Sequence, residues 1–176
     1  MIKALPKDKH AGEVLSFHYY TRSHYAFDIS EDANELRFIL IKKPLPTLLD
    51  KSFEGQLYAS HCEAPEAYGY FLDEKRVGVL EIDYLAYAKR VRITELLVNA
   101  KSRHQGIGKA LMAFAESRAK ALKARAIVLE TQSCNIDAIR FYEACGYKVI
   151  GFDLMAYSNH DVQNGEVRIE MGKSID

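Results

Sequence analysis

Apolar residues along this chain change period several times, and each change marks an element. Ala67 to Leu72 (AYGYFL) and Arg76 to Tyr84 (RVGVLEIDY) have the β-branched and aromatic content of strands and flank Asp73-Glu74-Lys75, which predicts a hairpin. Val91 to Val98 (VRITELLV) is apolar at nearly every position, the pattern of a central strand covered on both faces. From Gly106 to about Lys123 the period becomes helical: Ile107, Leu111, Phe114, Ala115 and Leu122 share one face, and Lys, Arg and Glu fill the other. Ala126 to Glu130 (AIVLE) predicts another buried strand. Asn135 to Cys145 predicts a second helix, with Ala138, Ile139, Tyr142 and Cys145 on one stripe and Gly146 placed for a left-handed C-terminal cap. Strands at Lys148 to Phe152 and Glu166 to Met171 close the chain.

The first third carries weaker signals. Glu13 to Tyr20 admits a helix, and Glu35 to Lys42 (ELRFILIK) predicts a strand. Pro44, Pro46 and Pro65 bracket an irregular region, residues 44 to 67, expected to hold loops and a short helix. No repeat, low-complexity tract or Gly/Ser linker marks a boundary, so the expectation is one mixed α/β (α+β) domain over residues 1–176, with a mostly antiparallel sheet flanked by helices. The strand-helix-strand unit from Val91 to Glu130 should be a right-handed parallel crossover.

Composition narrows the function. Of 176 residues, 48% are hydrophobic and 27% charged, ordinary values for a globular protein with a full core. The 24 basic and 24 acidic residues give no net attraction for polyanions, and no Lys/Arg run exceeds Lys42-Lys43 or Lys89-Arg90, so no nucleic-acid partner is expected. No apolar stretch approaches the roughly 20 residues that span a bilayer, and Met1-Ile2-Lys3-Ala4-Leu5-Pro6 lacks a signal-peptide core, so no membrane association is expected. Cys62, Cys134 and Cys145 are an odd number without a C-x-x-C pair, which argues for thiols in a reducing cytoplasm over disulfides or zinc. The histidines show no ligand spacing, so no metal is expected.

Gly106 and Gly108 lie between a buried strand and an amphipathic helix. A helix N-terminus offers unpaired N–H groups and partial positive charge to a phosphate, and glycine lets the backbone approach it closely. Arg103 adds a permanent charge and Lys109 a second, while His104 reads as a loop residue near the phosphate. An ATP loop, G-x-x-x-x-G-K-[ST], would need Gly at 103 and Ser or Thr at 110, where Arg103 and Ala110 stand. A dinucleotide loop, G-x-G-x-x-G, would need Gly at 111, where Leu111 stands. What remains is R-x-x-G-x-G; a loop that simply turns into a helix is the plainer explanation of the hexapeptide alone.

The segment Arg103-His104-Gln105-Gly106-Ile107-Gly108 resembles the pyrophosphate-binding signature of the GNAT superfamily of N-acetyltransferases. Asn135, Ala138, Phe141-Tyr142 and Gly146-Tyr147 also match that superfamily's N-x-x-A-x-x-F-Y-x-x-x-G-[FY]. The resemblance covers roughly residues 68 to 171. It implies acetyl-coenzyme A as the co-substrate, held by Leu96, Leu97, Val98, the loop from Arg103 through Lys109 to Ala110, and Asn135, Ala138 and Phe141. It also implies a sheet splayed at its one parallel strand pair to admit the cofactor, with backbone N–H groups near Val98 facing the oxyanion. Leu129 to Asn135 (LETQSCN), Gly151-Phe152-Asp153, Tyr157-Ser158 and Thr94-Glu95-Leu96 further resemble streptothricin acetyltransferases, which acetylate the β-amino group of that antibiotic's β-lysine arm. Superfamily members are often dimers, so a homodimer is among the expectations.

Acetylating an amine requires an acceptor for its proton, because an alkyl ammonium near pKa 10.4 is almost wholly charged at pH 7. Glu95, inside the central strand, is the candidate base; the plainer alternative pairs it with Arg92. Tyr142 matches the superfamily's usual acid for the leaving thiolate, against a capped core tyrosine. Asn135 is also a plausible N-cap. Cys134 is disfavoured as an acetyl carrier, since no motif places a histidine beside it. For a cationic small-molecule acceptor, Glu81, Asp83 and Asp153 are candidate carboxylates, and Tyr84 and Tyr87 candidate aromatic faces. Acetylation of a protein N-terminus, a lysine or a polyamine remains an alternative, as does a non-catalytic acyl-coenzyme A sensor.

Overall fold

Backbone pairing organises most of the chain. The computed structural model describes residues 1–175. Its elements are β1 (Ile2–Ala4), α1 (Lys7–His10), β2 (Val14–Glu31), β3 (Leu36–Gln56), β4 (Pro65–Leu72), β5 (Lys75–Leu85), β6 (Arg90–Val98), α2 (Ile107–Ala121), β7 (Ala126–Gln132), α3 (Ile136–Ala144), β8 (Lys148–Asp153), α4 (Asp161–Asn164) and β9 (Arg168–Ser174). Single 3₁₀ turns at Ala86–Ala88 and Ala100–Ser102 flank β6. The chain forms two compact units, neither contiguous in sequence. One contains Met1–Phe17, Phe53–Leu129 and the residues from Gly172 onward; the other contains His18–Ser52 and Glu130–Met171. All four crossings fall inside strands β2, β3, β7 and β9.

In the first unit the strand order is β1-β4-β5-β6-β7. The first three pairings are antiparallel and β6–β7 is parallel, as the strand-helix-strand pattern predicts. The β4–β5 hairpin closes through Asp73 and Glu74, both left-handed (φ 44° and 64°), the twist a tight hairpin requires. One face of β5 presents Leu80 and Ile82, which are fully buried, and α2 packs on β5 and β6 with Ile107, Leu111, Met112, Ala115 and Ala119 inward. The other face meets a cluster of Leu5, Leu15, Leu57, Ala67 and Val79. Parallel pairing covers only Arg90↔Ala126 to Arg92↔Val128. Among the described residues, Ile93 to Val98 of β6 therefore have no partner on β7, which is the splay expected of the sheet.

The second unit holds the remainder of the β2–β3 ribbon, the end of β7, α3, β8, α4 and most of β9, with β9 between β7 and β8. Buried Ser133 ties it together: its hydroxyl donates to the Gly165 carbonyl (3.0 Å) and accepts from the Val167 N–H (3.0 Å). Phe152 packs between Phe27 and Phe38, ring centroids 5.0 and 4.9 Å away.

Two expectations fail in the first third. Glu13 to Tyr20 contributes to strand β2 and not to a helix: Leu15, Phe17, Tyr19 and Thr21 turn inward while Ser16, His18 and Tyr20 stay exposed, a period of two. Residues 44 to 67 hold no short helix either, because β3 runs through Pro44 and Pro46 to Gln56. A two-stranded ribbon has a free edge on each strand, and there a proline's missing N–H costs no ladder hydrogen bond.

Candidate functional site

The acidic residues of β5 and β6 share a face, and a bulge brings their hydrogen-bonding partners on β6 to it. Glu81 lies opposite Glu95, and the next rung pairs Ile82 with Ile93, so Thr94 is an extra residue. Thr94 and Glu95 thus both turn toward Glu81, with the Thr94 hydroxyl donating to Glu81 Oε1 (2.8 Å). Asp83 lies two residues along on the same face, opposite Arg92, whose Nη2 donates to Asp83 Oδ2 (3.2 Å). Arg92 therefore serves Asp83, and the plainer pairing with Glu95 is not what the geometry shows. Strand alternation puts Tyr84 on the opposite face, and Tyr87 stands exposed in the turn before β6.

Glu81 and Asp83 are fully buried, so their charges need donors. Main-chain groups supply them: the Tyr58 N–H donates to Glu81 Oε2 (2.6 Å) and the Ala64 N–H to Asp83 Oδ1 (2.7 Å). Glu95 is different. Burial and the neighbouring Glu81 charge push its carboxyl up to about 7, with only partial relief from a hydrogen bond to the Gln56 backbone. It is thereby poised to exchange a proton near neutral pH. Burial and the same acids push the nearby Cys62 thiol up to about 11. Gly55, Gln56, Tyr58, Ala64 and Thr94 were not legible as site residues, since they act through backbone or a bulge that no motif announces.

Strand β6 continues through the half-buried Leu96, Leu97 and Val98 into the glycine loop. Arg103 folds back, its Nε donating to the Val98 carbonyl (3.2 Å), and Gln105 Nε2 reaches the Lys101 carbonyl (3.4 Å). His104 (φ 61°) and Gly106 (φ 80°) are both left-handed, which swings the backbone round to open α2. Nothing lies within 4 Å of where a Cβ of Gly106 would stand, so the backbone is open to an approaching group. The Gly106 carbonyl accepts from Ala110 (3.0 Å), which leaves the amides of Ile107, Gly108 and Lys109 without intrahelical acceptors. Ile107 is buried and pins this first turn, while Arg103, His104, Gln105, Gly106 and Lys109 are exposed. The geometry fits an anionic ligand such as a pyrophosphate.

The remaining candidates belong to the second unit. The Asn135 side chain caps α3, accepting from the Ala138 N–H (3.3 Å), and Phe141 and Tyr142 follow with ring centroids 5.4 Å apart. Burial raises the Tyr142 phenol to about 12, which keeps it protonated near neutral pH. Asp153 pairs with Arg168 (3.2 Å) and also accepts from the Met155 N–H (2.9 Å). Cys134 is buried against the Tyr19 hydroxyl (3.3 Å), and burial raises its thiol, which suits a structural residue better than a nucleophile. Among the described residues no group of three or more His, Cys, Asp or Glu is arranged to hold a metal ion, and no helix is long and apolar enough to cross a membrane.

Residues 21–147 match the model of the "Acetyltransferase (GNAT) family". A streptothricin acetyltransferase of Streptomyces lavendulae is 28% identical over 160 residues, 88% of this chain and 84% of that protein. One from Escherichia coli is 30% identical over 104 residues, and that match spans only 59% of each chain. Among solved structures, a nourseothricin acetyltransferase has a TM-score of 0.75 at 20% identity, covering 100% of this chain and 98% of the other. A structure from Bacillus anthracis str. Ames, assigned as a streptothricin acetyltransferase and solved with acetyl coenzyme A, has a TM-score of 0.74 at 24% identity, covering 100% and 97%.

Proposed function

We propose, from the premise that this chain belongs to the acetyltransferase (GNAT) family, that it transfers an acetyl group from acetyl-coenzyme A to a primary amine of a streptothricin-type cationic antibiotic. The observation that carries this reading is the course of β6. One strand presents a carboxyl held near neutrality at Glu95 and then delivers the chain directly into the open, left-handed loop that begins α2.

Acetyl-coenzyme A supplies the activated thioester; this chain's residues do the rest. The amides of Ile107, Gly108 and Lys109, with Arg103, hold the pyrophosphate. The unpartnered edge of Ile93 to Val98 lies open to the amide groups of the pantetheine arm, and an N–H near Val98 faces the developing oxyanion. The acceptor arrives as an ammonium, drawn by the Glu81, Asp83 and Glu95 carboxylates, and Glu95 takes its proton. The freed nitrogen forms the new C–N bond as the C–S bond breaks; the Tyr142 phenol gives its proton to the departing thiolate, so that coenzyme A leaves as a thiol, and regains one from the second N–H proton that the acetylated nitrogen sheds. Asn135 caps α3 and so fixes the helix that carries Phe141 and Tyr142. The names of the relatives and the concentration of buried negative charge favour a polycationic acceptor, and resistance to such an antibiotic would be the consequence. A cytoplasmic location suits the Cys62 and Cys134 thiols.

A thiol-release assay with acetyl-coenzyme A against a panel of amines tests the assignment. Release with streptothricin, and little with polyamines, lysine or N-terminal peptides, is expected. Preference for one of those other amines would reassign the acceptor, and coenzyme A binding without release on any amine would mark a sensor.

A further inference from the structure

The segment from Gly55 to Ala64 crosses the acidic face of β5 and β6 and meets all three carboxylates through its backbone. Gln56 hydrogen-bonds Glu95, Tyr58 donates to Glu81, and Ala64 donates to Asp83. At its start the approach is closest. A Cβ placed on Gly55 would lie 2.4 Å from both carboxylate oxygens of Glu95 and 2.6 Å from its Cδ. Real Cβ atoms do not tolerate such distances, so one of the two groups would have to move. The colliding atoms are the far end of a flexible side chain, and the cheaper response is rotation of Glu95 while the strands keep their places.

We infer that Gly55 is a positioning residue for Glu95: the absence of a side chain there lets the β3 backbone cover the carboxylate and hold it against Glu81. The inference rests on the assignment of Glu95 as the base, and it adds a residue outside the stretch that carries the family's motifs. Glycine here serves a close approach. No unusual backbone angle is involved. With a methyl at this position the carboxylate swings away from Glu81 and toward water, where its proton is held less tightly.

Gly55→Ala is the test, and its first readout does not depend on activity. Carboxylate ¹³C NMR on glutamate-labelled protein, assigned with Glu95→Gln, should show the Glu95 midpoint falling by about one pH unit or more. The acid limb of the pH–rate profile should move down with it, and kcat should fall about tenfold or more while KM for acetyl-coenzyme A stays within about twofold. An unchanged Glu95 midpoint in folded Gly55→Ala protein would overturn the inference. Loss of the Glu95→Gln effect on rate and pH profile would instead remove Glu95 as base, leaving the NMR shift to decide the positioning. Should Gly55→Ala not fold, adding Glu95→Asp shortens the colliding side chain by one methylene. Recovery of folded protein then supports the collision, and failure to recover refutes it.

Discussion

Glu95 occupies a position that costs the fold stability. Its carboxyl rises from an ordinary 4.5 to about 7 because burial and the Glu81 charge both disfavour ionisation. Between those values the native state binds more protons than the unfolded chain, so stability falls as pH rises from about 4.5 to about 7 and then levels off. Allowing for partial exposure, the penalty above neutrality is on the order of 1–2 kcal/mol. Glu95→Gln keeps the shape and removes the charge, so it should raise Tm at pH 8 by about 2–6 °C and change it little at pH 4. Thermal melts at both pH values check this; an unchanged or lower Tm at pH 8 would mean that the carboxylate carries no such penalty. Glu81 contrasts with it. Donors from Tyr58 and Thr94 satisfy both of its oxygens, which is how one face holds a well-supported carboxylate beside a poised one.

Among elements, α2 depends on a second glycine. A Cβ on Gly78 of β5 would stand 3.1 Å from Leu111 Cδ1, 3.3 Å from Ile107 Cγ2 and 3.3 Å from the Leu97 carbonyl. Gly78→Val should therefore lift the first turns of α2, lowering stability by about 1–3 kcal/mol. That turn also carries the free amides of the glycine loop, so the affinity for coenzyme A should drop several-fold. Urea titration and coenzyme A calorimetry measure both, and wild-type values in either would sever the proposed link between packing and loop. The same element shows what the sequence discloses. The helical period from Ile107 onward and the glycines of the loop are local signals, and they located α2 and the left-handed loop that opens it. The β5–β6 face was harder, because Glu95 meets Glu81 through the register of two strands and a bulge at Thr94 brings Thr94 and Arg92 to the same face, and neither bulge nor register is written in hydrophobic periodicity. Proline misled at β3 for a related reason: its breaking power holds for central strands, and the ribbon's free edges could not be foreseen. Asn135 is the intermediate case, since the cap was legible from the motif while the role of α3 in proton donation rests on the family resemblance.

For the whole molecule, the consequence of the interlaced chain is cooperative unfolding. The chain passes between its two units at Phe17/His18, Ser52/Phe53, Leu129/Glu130 and Met171/Gly172, and each crossing is a peptide bond inside a hydrogen-bonded strand. A linker can let one unit melt while the other survives; a shared strand cannot fray on one side without loosening ladder hydrogen bonds on the other. This is also why composition reveals no boundary, as no crossing falls in a Gly-, Pro- or Ser-rich stretch. Denaturant unfolding should accordingly be a single transition. Hydrogen exchange followed by mass spectrometry, with peptides from β5 reporting one unit and from α3 the other, should give the same midpoint within error across a urea series. The chain contains no tryptophan, so one introduced at exposed Tyr87 or Tyr157 supplies a fluorescence probe in either unit. Two resolved midpoints would show that the strands divide energetically where the units do, and would make the second unit, with Asn135 and Tyr142, a separately melting part of the enzyme.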